Sequence, residues 1–289
     1  LRQTERSLEL LVVGDGAAPE TAEVVKRFDD PRVRWFDLPK APGYGYANRN
    51  IAMAQSRGEL VAFASDDDLM LPDHLERLGA LFDEPQVQWA YSQALWVSTD
   101  GIAAPDLTNL SFEDERQVFE QYNTISGGAL MFRASAFPSR QCWPEDVPHA
   151  GDWQQMRQLL RHYGVAGMRR LAEPTFLHFV AGQKVARHSG SPLLAAWLGN
   201  ADSAAWWPRE LKPDLATELP QGYYARLLRS EPESVQKLRN AAADVVNRVA
   251  LDHLAPRVPV ELRARRNGKM RRSARLRAWL QKLRGQRVP

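Results

Sequence analysis

Three consecutive aspartates, Asp66, Asp67 and Asp68, follow a short apolar segment and precede Pro72 by a few residues. Two such carboxylates repel by roughly 4 kcal/mol at 4 Å and an effective dielectric of about 20, so solvent, helix amides or a cation must offset that energy. Mg²⁺ and Mn²⁺ prefer carboxylate oxygens and leave positions open for substrate phosphates. The run therefore predicts a metal site for a phosphorylated ligand. A solvated loop that caps the next helix is the alternative.

Strands and helices alternate in the first half of the chain, and this alternation predicts where the three aspartates lie in the fold. Apolar segments at Ser7–Val13, Arg32–Phe36 and Glu59–Ala64 predict buried strands, with helices from Pro19 and from about Ala47. This alternation predicts an α/β fold with a mainly parallel, doubly wound sheet flanked by helices. Such sheets bind ligands beyond the carboxyl ends of their strands, where the GDG turn and the aspartate run both lie.

The second half of the chain predicts fewer strands and more helix. A strand entered through paired glycines is expected within Thr124–Phe137, and Glu173–Val180 predicts another. Gly151–Gly164 predicts a helix that Asp152 is placed to cap. From about Ser189 the pattern is helical. We therefore predict three segments: an α/β domain at 1–188, a helical extension at 189–256, and a basic tail at 257–289.

Composition limits the class of protein. The chain has 289 residues and one cysteine, Cys142, which excludes an internal disulfide and a thiolate metal cluster. No window approaches 18 consecutive apolar residues, and the N-terminus has charges where a signal peptide needs an apolar centre. These features predict a cytoplasmic protein.

The positive charge is concentrated in the tail. The segment 257–289 carries +11 while the whole chain carries +3, so residues 1–256 carry −8. Apolar residues that roughly share a helical face lie among the arginines, which predicts a basic amphipathic helix in peripheral contact with anionic lipid. A solvated or disordered end is the alternative. Nucleic acid is disfavoured as a partner because no recognition module accompanies the charge.

Four segments in consistent order resemble glycosyltransferase family 2, which has the GT-A fold: LELLVVGDGAAPET, GYGYANRNIAMAQSRGELVAFASDDDLMLPDHL, GGALMFRASAF and HAGDWQQMRQLL. The resemblance covers roughly residues 1–180. It implies a metal-dependent, inverting transfer of a sugar from a nucleotide-diphosphate donor, with a UDP-sugar favoured. The implied acceptor is a hydroxyl of a glycan or lipid-linked molecule, in surface glycan or polysaccharide synthesis.

One departure from the family opens a second hypothesis. The family's first strand has no counterpart here, so the chain as given is expected to be N-terminally truncated. A non-catalytic GT-A-like protein that binds a nucleotide or a glycan is therefore the alternative function.

The resemblance also implies a donor site. Asp15 matches the residue that holds the nucleobase or ribose, and Arg49 and Asn50 match a pair on the donor side. The run Asp66–Asp68 matches the DXD metal motif, and Asp66 is also expected near the donor. Which two of the three carboxylates hold Mn²⁺ or Mg²⁺ stays open. His178 is expected near the metal or the diphosphate, with a hydrogen-bonded core histidine as the alternative.

On the acceptor side, Asp152 matches the catalytic base of the family. The family often has Glu-Asp at this point where the present chain has Gly-Asp, so Glu145 and Asp146 are kept as lesser candidates for the base. Gly127 and Gly128 would let the backbone approach the sugar closely, with a turn or bulge as the alternative.

Overall fold

The computed structural model of the protein describes residues 1–180 and 192–254, which fall into two compact units. Unit 1 consists of Leu1–Phe63, Pro72–Tyr91 and Phe119–Arg169. Unit 2 consists of Ala64–Leu71, Ser92–Val118 and the described residues from Arg170 onward. Both units are therefore discontinuous in sequence. The predicted boundaries of the three segments remain predictions.

The described residues form short strands and longer helices. The strands are β1 (Leu10–Asp15), β2 (Val33–Leu38), β3 (Leu60–Ala62), β4 (Leu69–Met70), β5 (Trp89–Val97), β6 (Ala103–Pro105), β7 (Leu130–Arg133) and β8 (Met168–Phe179). The helices are α1 (Pro19–Lys26), α2 (Tyr46–Ala54), α3 (His74–Gly79), α4 (Glu113–Gln121), α5 (Gly151–Tyr163), α6 (Pro192–Ser203), α7 (Pro220–Ser230) and α8 (Ser234–Leu254). The predicted α/β class with helices toward the C-terminus is confirmed.

In unit 1, β1 and β2 are parallel, with Leu10 opposite Val33 and Asp15 opposite Leu38. The crossover between them is α1, which begins at Pro19, where the fixed φ of proline suits the first turn. The same unit contains β3 paired antiparallel with β7, and β7 paired antiparallel with the start of β5.

Unit 2 contains the end of β5, which pairs antiparallel with β6, and β4, which pairs antiparallel with β8. An apolar cluster joins these strands to the C-terminal helices. It includes Leu95, Phe179, Tyr224 and Ala242, each at most 1% exposed. The hydroxyl of Tyr224 donates to the carbonyl of Gly101 at 3.0 Å, which ties α7 to the turn between β5 and β6.

The sheet differs from the mainly parallel one predicted from sequence. Only the β1–β2 pair is parallel among the strand pairs whose register the structure describes, and four pairs are antiparallel. For β5 and β6 the reason is chain connectivity. A parallel pair needs a long crossover such as α1, whereas the short turn at Ser98–Ile102, with Gly101 at φ 84°, returns β6 against β5.

Several elements differ in length from those predicted from the sequence. The third strand covers only Leu60–Ala62, and the segment Val87–Val97, whose pattern predicts one or two strands, contains one strand, β5. The sequence pattern missed β4, β6 and α4. No helix of the described residues is long and apolar enough to cross a bilayer. The predicted basic tail at 257–289 lies outside the described residues, so its amphipathic helix and its lipid contact remain predictions.

Candidate active site

Asp15 ends β1 in a cradle of hydrogen-bond donors in unit 1. One carboxylate oxygen accepts from the Ala41 amide at 2.8 Å and from Asn48 Nδ2 at 2.6 Å, and the other pairs with Lys40. Burial alone would raise the pKa of Asp15, but these donors outweigh it and lower the pKa. Gly45, at φ 72°, permits the approach, because an added Cβ would lie 2.6 Å from the Asp15 carboxyl carbon.

The other donor-side residues predicted on α2 face a different segment of unit 1. Asn50 is buried; its side-chain amide donates to the Trp143 carbonyl and to Glu145 Oε1, both at 2.8 Å, and accepts from the Trp143 amide. Glu145, a lesser candidate for the base, is thus held by Asn50. The Arg49 guanidinium lies 4.4 Å above the Trp143 ring, a cation–π geometry that leaves Arg49 partly exposed.

Asp152 lies in the first turn of α5, against a glycine. An added Cβ on Gly127 would lie 2.8 Å from Asp152 Oδ2 and 2.9 Å from its Cβ. The structure therefore brings together two residues that the sequence assigned to the base and to the sugar-facing backbone. Gly128 is buried in the same 3-10 turn, Gly127–Ala129. The expectation that Asp152 caps its helix is wrong, because the N-cap is Ala150.

Tyr46, on α2, is a residue of this site that sequence reasoning missed. Its hydroxyl accepts a hydrogen bond of 2.8 Å from the amide of Gly151, the first residue of α5. Burial, with the charge of Asp152 adding to it, raises the pKa of Tyr46. The available signal was the motif departure at Gly151, since a glycine there leaves room for an aromatic ring from another element.

The aspartate run lies in unit 2. Asp68 has a side chain only 3% exposed, and its carboxylate contacts His178 Nδ1 at 3.0 Å and accepts from the Phe179 amide at 2.9 Å. Asp67 accepts from the Ser65 hydroxyl at 2.6 Å, and Asp66 is exposed. His178 is further fixed by the edge of Trp96, with ring centroids 4.5 Å apart.

The donor chemistry of this run fits a hard divalent cation, because carboxylate oxygens are its preferred ligands. Asp68 is oriented by His178 and Phe179, while Asp66 is exposed and Asp67 is partly exposed. Within the part of the chain that the structure describes, no group of three or more His, Cys, Asp or Glu residues is arranged to hold a metal ion. The metal therefore stays a prediction, and so does ligation by His178.

A second carboxylate cluster in unit 2 was also missed. Glu115, on α4, accepts from the Asn109 amide, and Asp106 accepts from the Thr108 amide at 2.8 Å. Burial raises the pKa of Glu115 to about 7 and raises the pKa of Asp106 as well. The positive charge of Arg170 opposes both increases. The sequence offered no periodic or motif signal for this cluster.

Asp146, the other lesser candidate for the base, lines an open cleft of about 520 Å³ in unit 1. The rest of that lining comes partly from Gln154, Gln158 and Arg161 of α5. These side chains project from the opposite side of the helix to Asp152, as their helical spacing requires. Asp146 is thus separated from the face of α5 that meets Gly127.

Residues 1–139 match the model of the family described as Glycosyl transferase family 2. Succinoglycan biosynthesis protein ExoO of Rhizobium meliloti is 36% identical over 101 residues, which are 35% of this chain and 29% of that protein. An uncharacterized glycosyltransferase of Haemophilus influenzae is 30% identical over 79 residues, 27% of this chain and 31% of that protein. The chain thus matches less than a third of the length of either relative.

Among solved structures, S. aureus TarS 1-349 in complex with UDP-GlcNAc is similar at 17% sequence identity and a TM-score of 0.49, over 84% of this chain and 73% of that one. The same protein in complex with UDP has 20% identity and a TM-score of 0.48, over 62% and 54%. Residues 1–139, just under half of the chain, are thus similar to glycosyltransferase family 2, and this match confirms the resemblance seen in the sequence motifs.

Proposed function

We propose that this protein is an inverting, metal-dependent glycosyltransferase that moves a sugar from a nucleotide-diphosphate donor to a hydroxyl acceptor. The observation that carries the proposal is the contact between Asp152 and Gly127 in unit 1, because it sets a carboxylate beside a backbone that has no side chain. The carboxylate lies where a side chain of residue 127 would lie, and a carboxylate held in this way can accept a proton.

The donor is proposed to bind at Asp15. Its carboxylate is held ionised and oriented by Ala41, Asn48 and Lys40. An oriented carboxylate can accept hydrogen bonds from ribose hydroxyls or from a nucleobase N–H group. Arg49 follows Asn48 on α2, with its charge partly exposed, and is available to a phosphate. A UDP-sugar is the favoured donor.

The chemical step balances with Asp152 as base. The acceptor oxygen bonds to the anomeric carbon from the face opposite the nucleotide, and the bond from that carbon to the diphosphate oxygen breaks. The electron pair leaves with the nucleoside diphosphate, and the acceptor proton goes to the Asp152 carboxylate. The configuration of the sugar is therefore inverted. Because Gly127 has no side chain, its backbone packs against one side of the Asp152 carboxylate.

A divalent cation, Mn²⁺ or Mg²⁺, would be held by the carboxylates of Asp66, Asp67 and Asp68, and it would neutralise charge on the diphosphate. In this proposal His178 orients Asp68 through its Nδ1 atom. The acceptor is proposed to be a glycan or lipid-linked molecule in polysaccharide synthesis, which the name of the Rhizobium relative supports.

Titration calorimetry with UDP and then GDP, in Mn²⁺ and in chelator, tests the donor and the cation together. We expect UDP to bind in Mn²⁺, and Asp68→Ala to weaken that binding in Mn²⁺ but not in chelator. Equal loss in both conditions would contradict a metal role for the run. Transfer is then tested with UDP-sugars and methyl glycosides, and NMR of the product must show an inverted anomeric configuration. UDP binding without transfer would favour the non-catalytic alternative.

A further inference from the structure

The N-cap residue of helix α5 makes no side-chain hydrogen bond. This residue, Ala150, carries only a methyl group and adopts φ 55° and ψ 41°, a left-handed conformation that costs a non-glycine residue roughly 1–2 kcal/mol. The first amides of a helix need acceptors from outside the helix. The amide of Gly151 finds its acceptor on another element, the hydroxyl of Tyr46 at 2.8 Å. Tyr46 therefore accepts from the N1 amide of α5, whereas an N-cap oxygen accepts from the N2 or N3 amide of its helix.

Tyr46 is well fixed for this role. Its side chain is buried, and its ring stacks on Trp143 with centroids 5.5 Å apart and planes 7° from parallel. The helix that carries it is anchored at two further points: Asn50 bonds to the backbone of Trp143, and Asn48 bonds to Asp15. These contacts fix the position of the Tyr46 hydroxyl, and the hydroxyl in turn fixes the position of the Gly151 amide.

Tyr46 and Gly151 are also matched in shape. A Cβ added to Gly151 would lie 2.7 Å from Cζ and 2.8 Å from Cε1 of the Tyr46 ring. These distances are shorter than any ordinary contact, so residue 151 must be glycine while the ring occupies this place. The ring therefore packs directly on the backbone of the residue before Asp152.

We propose that Tyr46 is a positioning residue for Asp152. By accepting the Gly151 amide and packing on the Gly151 backbone, it fixes the first turn of α5 and so holds the Asp152 carboxylate against Gly127. The inference rests on the proposed function, in which Asp152 is the base. Because Asn48 on the same helix holds Asp15, one element sets the place of both the nucleotide contact and the base.

The test is Tyr46→Phe, which removes one oxygen and keeps the ring. The matched control is Tyr122→Phe, at a tyrosine that is 59% exposed. We expect Tyr46→Phe to lower kcat about 10- to 100-fold, since misplacing a reacting group by about 1 Å has costs of this order. The Kd for UDP in Mn²⁺ should stay within about twofold, because the Asp15 cradle is untouched. Hydrogen exchange of the amides at 151–154 should be faster.

Two outcomes would overturn the inference: a wild-type kcat with unchanged exchange at 151–154, or a joint loss of kcat, UDP affinity and Tm, which would indicate a purely structural tyrosine. If Tyr46→Phe does not fold, Gly151→Ala makes the same test, since its Cβ must displace the ring. Asp152→Asn separates this inference from the proposed function. Transfer that survives Asp152→Asn refutes the base, whereas exchange at 151–154 still decides whether Tyr46 fixes the helix start.

Discussion

Gly127→Ala gives the sharpest prediction about the geometry of the site. Gly127 has no left-handed backbone requirement, so its substitution tests space alone. The added Cβ would meet Asp152 Oδ2 at 2.8 Å and the Asp152 Cβ at 2.9 Å, whereas ordinary contacts begin near 3.4 Å. The carboxylate must therefore shift by about 0.5 Å or more. Overpacking of this kind costs roughly 1–3 kcal/mol of stability.

We expect the shift to lower kcat about 10- to 100-fold while the Kd for UDP changes less than about twofold. The assay is release of UDP from a UDP-sugar coupled to formation of the glycoside, with UDP affinity measured by calorimetry. Gly199→Ala is the matched control, because its added Cβ would meet no described atom within 4 Å and its place in α6 favours alanine. A folded Gly127→Ala variant with wild-type kcat would refute the assigned contact with Asp152.

Two further predictions concern the nucleotide cradle and the buried carboxylates. Asn48→Ala should weaken UDP binding about tenfold, because Asp15 loses a donor that orients it; calorimetry checks this against the exposed Asn240→Ala, and equal affinities would contradict it. For Glu115, burial raises the folded pKa to about 7, so the native state binds the extra proton and stability falls as pH rises between the ordinary value of 4.5 and about 7. Glu115→Gln should therefore stabilise the protein by about 2 kcal/mol near pH 8 and by almost nothing near pH 4. Urea unfolding at both pH values measures this difference in stability. A difference that does not depend on pH would contradict the raised pKa of Glu115.

The sequence predicted the parts of the site that depend on local chemistry. The strand pattern placed Asp15 near the carboxyl end of a buried strand, and it is the last residue of β1; the apolar face of α5 predicted the helix that bears Asp152. The α/β class followed in the same way. These features depend on neighbours within a few residues, which a single sequence displays.

Features that depend on contacts between distant residues could not be predicted. The hydroxyl of Tyr46 and the amide of Gly151 are 105 residues apart in the chain, and neither residue type alone indicates the pair. The antiparallel pairing of β3 with β7 joins residues near 61 to residues near 132, a choice that alternation of strands and helices does not determine. The pKa of Glu115 depends on burial by the fold rather than on its sequence neighbours.

The role of Asp152 as base is tested by the transfer rate of Asp152→Asn, measured together with its affinity for UDP in Mn²⁺. The amide keeps the size of the carboxylate and cannot take the acceptor proton at neutral pH. We expect kcat to fall by at least about 100-fold while the Kd for UDP stays within about twofold. Transfer by Asp152→Asn at close to the wild-type rate would contradict the assignment of the base.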